Sequence, residues 1–110
     1  MTFRQSARKV YGRSRGRCEI CVQHEATQFH HRRPRGQGGS NNPEVHSPAN
    51  LLHLCYECHQ SVEANSGTSY PNGWKIKHGI LDPELVPALR RGRWVLLDDL
   101  ATVEYLEDRT

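Results

Sequence analysis

Asn50-Leu51-Leu52-His53-Leu54-Cys55-Tyr56-Glu57-Cys58-His59 changes its period midway, and that change decides the fold. Over residues 50–54, Leu52 and Leu54 fall on one face and Leu51 and His53 on the other, the alternation of a short strand. From Cys55 the pattern turns helical and runs to Ala64, where Asn65-Ser66-Gly67 stops it. Upstream, residues 27–32 (Thr27-Gln28-Phe29-His30-His31-Arg32) read as a partner strand. Between the two strands, Pro34, Gly36, Gly38, Gly39, Asn41, Asn42, Pro43 and Pro48 crowd turn-formers into residues 34–48, which predicts a long loop. The order strand, loop, strand, helix is that of an α+β unit.

Cysteines frame this unit. Cys18-Glu19-Ile20-Cys21 and Cys55-Tyr56-Glu57-Cys58 are two Cys-x2-Cys pairs with 33 residues between them. Each pair presents two thiolates from one tight turn, and together they complete the four-sulfur tetrahedron of structural zinc. Two disulfides or free buried thiols are the alternatives. Residues 1–6 carry no apolar signal stretch, so a reducing, cytoplasmic compartment is expected, and there such cysteines read as metal ligands first. The apolar inventory points the same way. Counted with Gly and without Tyr it is 44 of 110 residues, or 40%, below the roughly 45–50% of an average globular chain. One domain of this size with a thin core needs a staple.

Outward from the core, Phe3, Ala7, Val10 and Tyr11 share one face of a predicted basic helix over residues 3–13. On the C-terminal side, residues 74–77 alternate like a strand. Residues 93–97 and 102–106 flank Asp98-Asp99-Leu100-Ala101 as a hairpin. Residues 67–110 are thus an accessory segment of a single domain whose motif core is residues 18–63. Trp74 and Trp94 read as packing anchors for that segment. The longest apolar run, Trp94-Val95-Leu96-Leu97, is far short of the roughly 20 residues of a membrane helix.

Charge is unevenly spread. Residues 1–35 carry nine Lys/Arg against Glu19 and Glu25, net +7, whereas residues 36–110 carry six against ten acids, net −4. A basic end of this density suits a polyanion such as nucleic acid. Arg32, Arg33 and Arg35, just past the first strand, are the candidate phosphate contacts.

Among seven histidines, three have placed company. His59 follows the last cysteine and is turned about 100° from Cys58 by the helical repeat, toward the strands. Glu63 lies at i+4 on the same face. A divalent ion could be held between His30 and His59, with Glu63 as a third or water-mediated contact. His24, His46, His53 and His78 lack such company and read as surface or supporting residues.

His30-His31, Asn50 and His59, framed by the two cysteine pairs, resemble the HNH nuclease motif in its zinc-stapled form, as found in small bacterial and phage endonucleases. The resemblance implies a ββα-metal (His-Me) finger, with His30 and His59 as ligands of a catalytic Mg²⁺, Mn²⁺ or Ni²⁺. It implies His31 as general base and Asn50 as the residue that pins the loop and orients that base. Many relatives carry a histidine where this chain has Glu63, and a carboxylate suits Mg²⁺ or Mn²⁺. Neutral imidazole near physiological pH can take a proton from water. The implied activity is hydrolysis of double-stranded DNA to 5′-phosphate and 3′-hydroxyl ends, in a bacterial or phage-infected cell, with phage DNA-packaging proteins as partners. RNA cleavage stays open, and a non-catalytic zinc-stabilised nucleic-acid-binding module is the rival. Adjacent strand residues point to opposite faces, so His30 and His31 can meet one phosphate only if the strand kinks.

Overall fold

The structure is a computed structural model that describes residues 1–34, 43–77 and 82–109. Helix α1, Phe3–Ser14, begins in a capping box. The Gln5 N–H donates to Thr2 Oγ1 at 3.1 Å, and the Thr2 N–H donates back to Gln5 Oε1 at 2.8 Å, which satisfies two otherwise orphaned donors. Arg15 ends the helix in the left-handed conformation, φ 58°. Strands β1 (Gln28–His31) and β2 (Leu51–Leu54) pair antiparallel, His30 opposite Leu52 and His31 opposite Leu51. Helix α2, Tyr56–Ala64, follows β2 directly, and the short helix α3, Ser66–Ser69, follows it. The expected hairpin-then-helix order is what forms.

All four residues of β2 are buried, because both faces of the hairpin are covered. On one face Phe29 stacks on His53 at 4.2 Å between ring centroids and meets Phe3 of α1 edge-on at 5.9 Å. On the other, Leu52 and Leu54 join Val62 of α2 in the core. The turn-formers just before β2 build regular structure. Two 3₁₀ turns, Pro43–His46 and Pro48–Asn50, lead into β2.

The C-terminal segment is a three-stranded antiparallel sheet, β3 (Ala88–Arg90), β4 (Arg93–Leu97) and β5 (Val103–Tyr105). The expected β4–β5 hairpin is present. Asp98 closes it, its Oδ1 accepting from the Leu100 and Thr102 N–H groups at 2.9 Å each. Strand β3 was hidden in the sequence behind Pro83 and Pro87. It reaches β4 through Arg91 and Gly92, both at positive φ (53° and 79°), the backbone of a tight primed hairpin turn. Residues 74–77 are not the strand their alternation suggests. The Trp74 and Lys75 N–H groups both donate to Ser69 O, and Ile76 N–H donates to Arg32 O at 2.9 Å, so the segment wraps the finger without entering a ladder. Trp74 is an anchor, its indole N–H bonded to Leu89 O at 2.7 Å, whereas Trp94 is 40% exposed. Ala88, Val95 and Leu97 share one buried cluster with Cys18, Leu52, Leu54 and Val62, so finger and sheet close a common core.

Two buried charges tie these pieces together. Glu19, fully buried, receives Arg13 at 2.8 Å through two nitrogens and Arg90 Nε at 2.6 Å, and accepts the His53 N–H. Burial pushes its pKa up, but Arg13 and Arg90 outweigh that and hold it at about 2. Arg32, expected at a phosphate, is instead fully buried. Its guanidinium donates to the carbonyls of Gly73 and Ala49 at 2.8 Å, Pro83 at 3.2 Å and Val86 at 2.7 Å. Burial lowers its pKa to about 9, so it stays charged at neutral pH while spending four of its five N–H donors on the fold.

Candidate functional site

The two cysteine knuckles form from local backbone geometry. Cys55 caps α2, its sulfur accepting the Cys58 N–H at 3.4 Å, and Cys18 Sγ accepts the Ile20 N–H at 3.5 Å. The four sulfurs lie within 4.8 Å of one another, with Cys21 and Cys55 3.8 Å apart. A tetrahedron with metal–sulfur bonds of about 2.3 Å has edges of about 3.8 Å, so the cluster has the dimensions of a four-thiolate zinc site. All four are free thiols, not disulfides. Burial opposes a thiolate at Cys18, but the N–H groups of Cys55, Cys21 and Ile20 and the Cys21 thiol lower its pKa to about 7. Burial and the neighbouring thiols push Cys55 and Cys58 up. A cation bound among the sulfurs would favour their thiolate forms.

A second cluster forms where β1 meets α2. Ligand atoms of His30, His59 and Glu63 lie within 4.8 Å of one another. His30 Nδ1 is 3.3 Å and His59 Nε2 3.6 Å from Glu63 Oε1, and Lys75 Nζ is 3.5 Å from the other carboxylate oxygen. The outer ring nitrogens are both occupied. His30 Nε2 bonds Trp74 O at 2.7 Å, and His59 Nδ1 bonds Gln28 Oε1. Each acceptor is a carbonyl oxygen, so the outer nitrogen carries the proton and the inner nitrogen keeps its lone pair toward the cluster. Outer-shell bonds of this kind fix the tautomer of metal-ligating histidines. Burial lowers the His30 pKa, which keeps the ring neutral and able to ligate. Glu63, half exposed, leaves the cluster open to solvent.

Asn50 is fully buried and laces the end of β1 to the loop. Its Oδ1 accepts the Arg33 N–H at 2.7 Å, and its Nδ2 donates to Arg33 O at 3.0 Å and Val45 O at 2.9 Å. His31 lies on the other face of β1 from His30. The strand register stays regular through His31, opposite Leu51, without the kink that would bring the two rings together. His31 stacks on Phe3 at 5.8 Å and sets Nε2 3.2 Å from His46 Nδ1.

Arg33 is 8% exposed and buried with the Asn50 lacing. Arg35 and His78 lie outside the described residues, and His24 is exposed. His53 is not a surface residue. It is 3% exposed, stacked on Phe29, with Nδ1 2.7 Å from Ser14 Oγ. The contribution of His46 was missed because it comes from a loop whose path no periodicity reveals. The one available signal was its closeness in sequence to Asn50, which pins that loop.

Among the described residues, no helix is long and apolar enough to cross a membrane. Comparison with curated proteins and with solved structures gives no match. A family model does match: residues 18–65 fit the model described as HNH endonuclease, and that stretch runs from the first zinc-type cysteine to the end of α2. Nuclease or nucleic-acid-binding activity, with DNA as the substrate, is what this family suggests. Residues 18–65, a little under half of the chain, are thus similar to the HNH endonuclease family.

Proposed function

We propose that the chain is a metal-dependent DNA endonuclease that hydrolyses phosphodiester bonds to 5′-phosphate and 3′-hydroxyl ends. The observation that carries this reading is the cluster of His30, His59 and Glu63, with both rings held in the ligating tautomer, inside the HNH-matched segment. His30, His59 and Glu63 hold the catalytic divalent ion, Mg²⁺, Mn²⁺ or Ni²⁺. Cys18, Cys21, Cys55 and Cys58 hold a structural zinc. When bound, the catalytic ion supplies Lewis-acid stabilisation of the charge that grows on the phosphate and the leaving 3′ oxygen. His31 takes the proton from the attacking water. His46, within hydrogen-bond reach, steadies its ring. Asn50 holds the strand end and the His46 loop in register. Double-stranded DNA is the substrate.

The placement of His30 and His31 on opposite faces of β1 favours a second reading, a zinc-stabilised nucleic-acid-binding module without cleavage. Supercoiled-plasmid cleavage with each divalent ion, run beside calorimetric metal titration of zinc-loaded protein, separates the two. The nuclease reading expects cleavage by the parent and its loss in His31→Ala, which still binds a divalent ion. It expects His59→Ala to weaken metal binding and cleavage together, with partial rescue at high metal. DNA binding with no cleavage under any ion supports the module. Parent-rate cleavage by His31→Ala removes that histidine as the base.

A further inference from the structure

We propose that the outward face of α1 is the surface that grips the duplex DNA backbone, along a track of Arg4, Arg8 and Lys9 that begins beside His31. The inference rests on the proposed nuclease reading for the identity of its partner. Of the three arginines that sequence position suggests for this task, Arg32 is wholly buried on four carbonyls and Arg33 is 8% exposed, while Arg35 lies outside the described residues. Among the described residues, the exposed positive charge of the N-terminal third lies on and just after α1.

Helix α1 supplies that place. Its twelve residues contain no acid. Ser6, Val10 and Ser14 are buried and mark the inner side, while Arg4, Arg8 and Lys9 are exposed, followed by Arg15 and Arg17 after the helix. Arg13, the remaining cation of the helix, is turned inward to Glu19. Among the described residues, Arg4, Arg8, Lys9 and Arg15 have no ion-pair partner. Arg4 and Arg8 stand one turn apart, about 6 Å along the axis. Tyr11, 57% exposed, lies beside them.

This charge opposes the stability of the helix. A cation in the first turn faces the positive end of the helix dipole, and like charges at i and i+4 repel. Among the described residues no ion pair or side-chain hydrogen bond uses Arg4 or Arg8, whereas a row of phosphates would, through release of condensed counterions. The track also starts at the right point. Phe3, the neighbour of Arg4, lies 5.8 Å from the His31 ring and 5.7 Å from His46. Among the described residues the exposed acids are Glu25, Glu57, Glu63, Asp82, Glu84, Glu104 and Glu107, none of them on α1, so α1 presents an electropositive face.

The test measures binding of a short labelled DNA duplex to zinc-loaded protein by fluorescence anisotropy over a salt series, without added catalytic ion. Arg4→Gln/Arg8→Gln/Lys9→Gln is expected to weaken binding about tenfold or more near 0.1 M salt and to flatten the log–log salt slope by about 2–3. Lys77→Gln, an exposed cation outside the track, is expected to change affinity by less than about twofold. Zinc content and far-UV circular dichroism confirm the fold of each variant. Should the triple variant not fold, Arg8→Gln alone, with a slope change of about 1, decides. A folded variant that binds like the parent with the parent's salt slope overturns the proposal, as does salt-independent binding by the parent. Plasmid cleavage is a separate readout: α1-dependent binding by a parent that never cleaves sinks the nuclease reading and leaves this surface standing.

Discussion

Arg32 directly follows β1 and the candidate residue His31, yet acts as a structural residue. Its four carbonyl partners come from residues 49, 73, 83 and 86, so one side chain joins the finger to the chain that leads into the C-terminal sheet. Replacing it leaves four acceptors short of a donor in a buried place. Arg32→Met is expected to cost on the order of 2–4 kcal/mol, where a solvent-exposed phosphate contact would cost within about 0.5 kcal/mol of zero; the shift in urea midpoint at pH 7 measures it. Glu19 is the counterpart on the acidic side. Removing its charge strands Arg13 and Arg90, so Glu19→Gln is expected to cost about 3–5 kcal/mol at pH 7. Its folded pKa of about 2 lies below the ordinary 4.5. The unfolded chain therefore takes up the proton first as pH falls, and the stabilisation, complete above about 4.5, is lost progressively toward 2. Urea midpoints of parent and Glu19→Gln, followed downward from pH 6, are expected to converge only below about 4.5.

At the scale of elements, the docking of the C-terminal segment turns on Gly73. Its φ is +72°, and a Cβ there would stand 1.9 Å from Pro87 O and 2.9 Å from Ala88 Cα. Its own carbonyl accepts from Arg32. Gly73→Ala thus forces a left-handed conformation on alanine and drives backbone apart at the entrance to β3. The expected loss is roughly 2 kcal/mol or more, read by thermal or urea unfolding. Hydrogen exchange is expected to quicken first in β3–β5, before β1 and β2. The hairpin β1–β2 is held on both faces, so the same loss should not detach Phe29 from His53 or His30 from His59.

At the scale of the molecule, thirteen apolar residues are deeply buried among those described, and two of them are cysteines of the zinc-type cluster. The net stability of a domain of this size, about 5–15 kcal/mol, is no larger than the roughly 10–16 kcal/mol of apparent zinc binding to such sites. One zinc per chain is expected on metal analysis, and chelation is expected to unfold finger and sheet together, because Cys18 and Cys55 share their core with Val95 and Leu97. Cys58→Ser should behave as the chelated protein does. Folded protein purified without zinc would overturn the assignment.

Local pattern alone determined the strand–loop–strand–helix order and the pairing of two Cys-x2-Cys knuckles. It also determined the convergence of His59 and Glu63 on one helix face, because each depends on backbone period or on spacing within a few residues. The bounds of α1, the hairpin and α2 came within one or two residues for the same reason. Tertiary structure alone decided where charge is spent. Nothing in Arg32-Arg33 distinguishes a phosphate contact from a buried brace, since the difference lies in carbonyls 17 to 54 residues away. The alternation of residues 74–77 could not reveal that two of their N–H groups turn back to Ser69. Strand β3 became a strand only because β4 offered it a ladder. His46 met His31 because Asn50 fixed the loop between them. Period is a property of the local backbone and is written in the chain; partnership across the fold is a property of packing and is not.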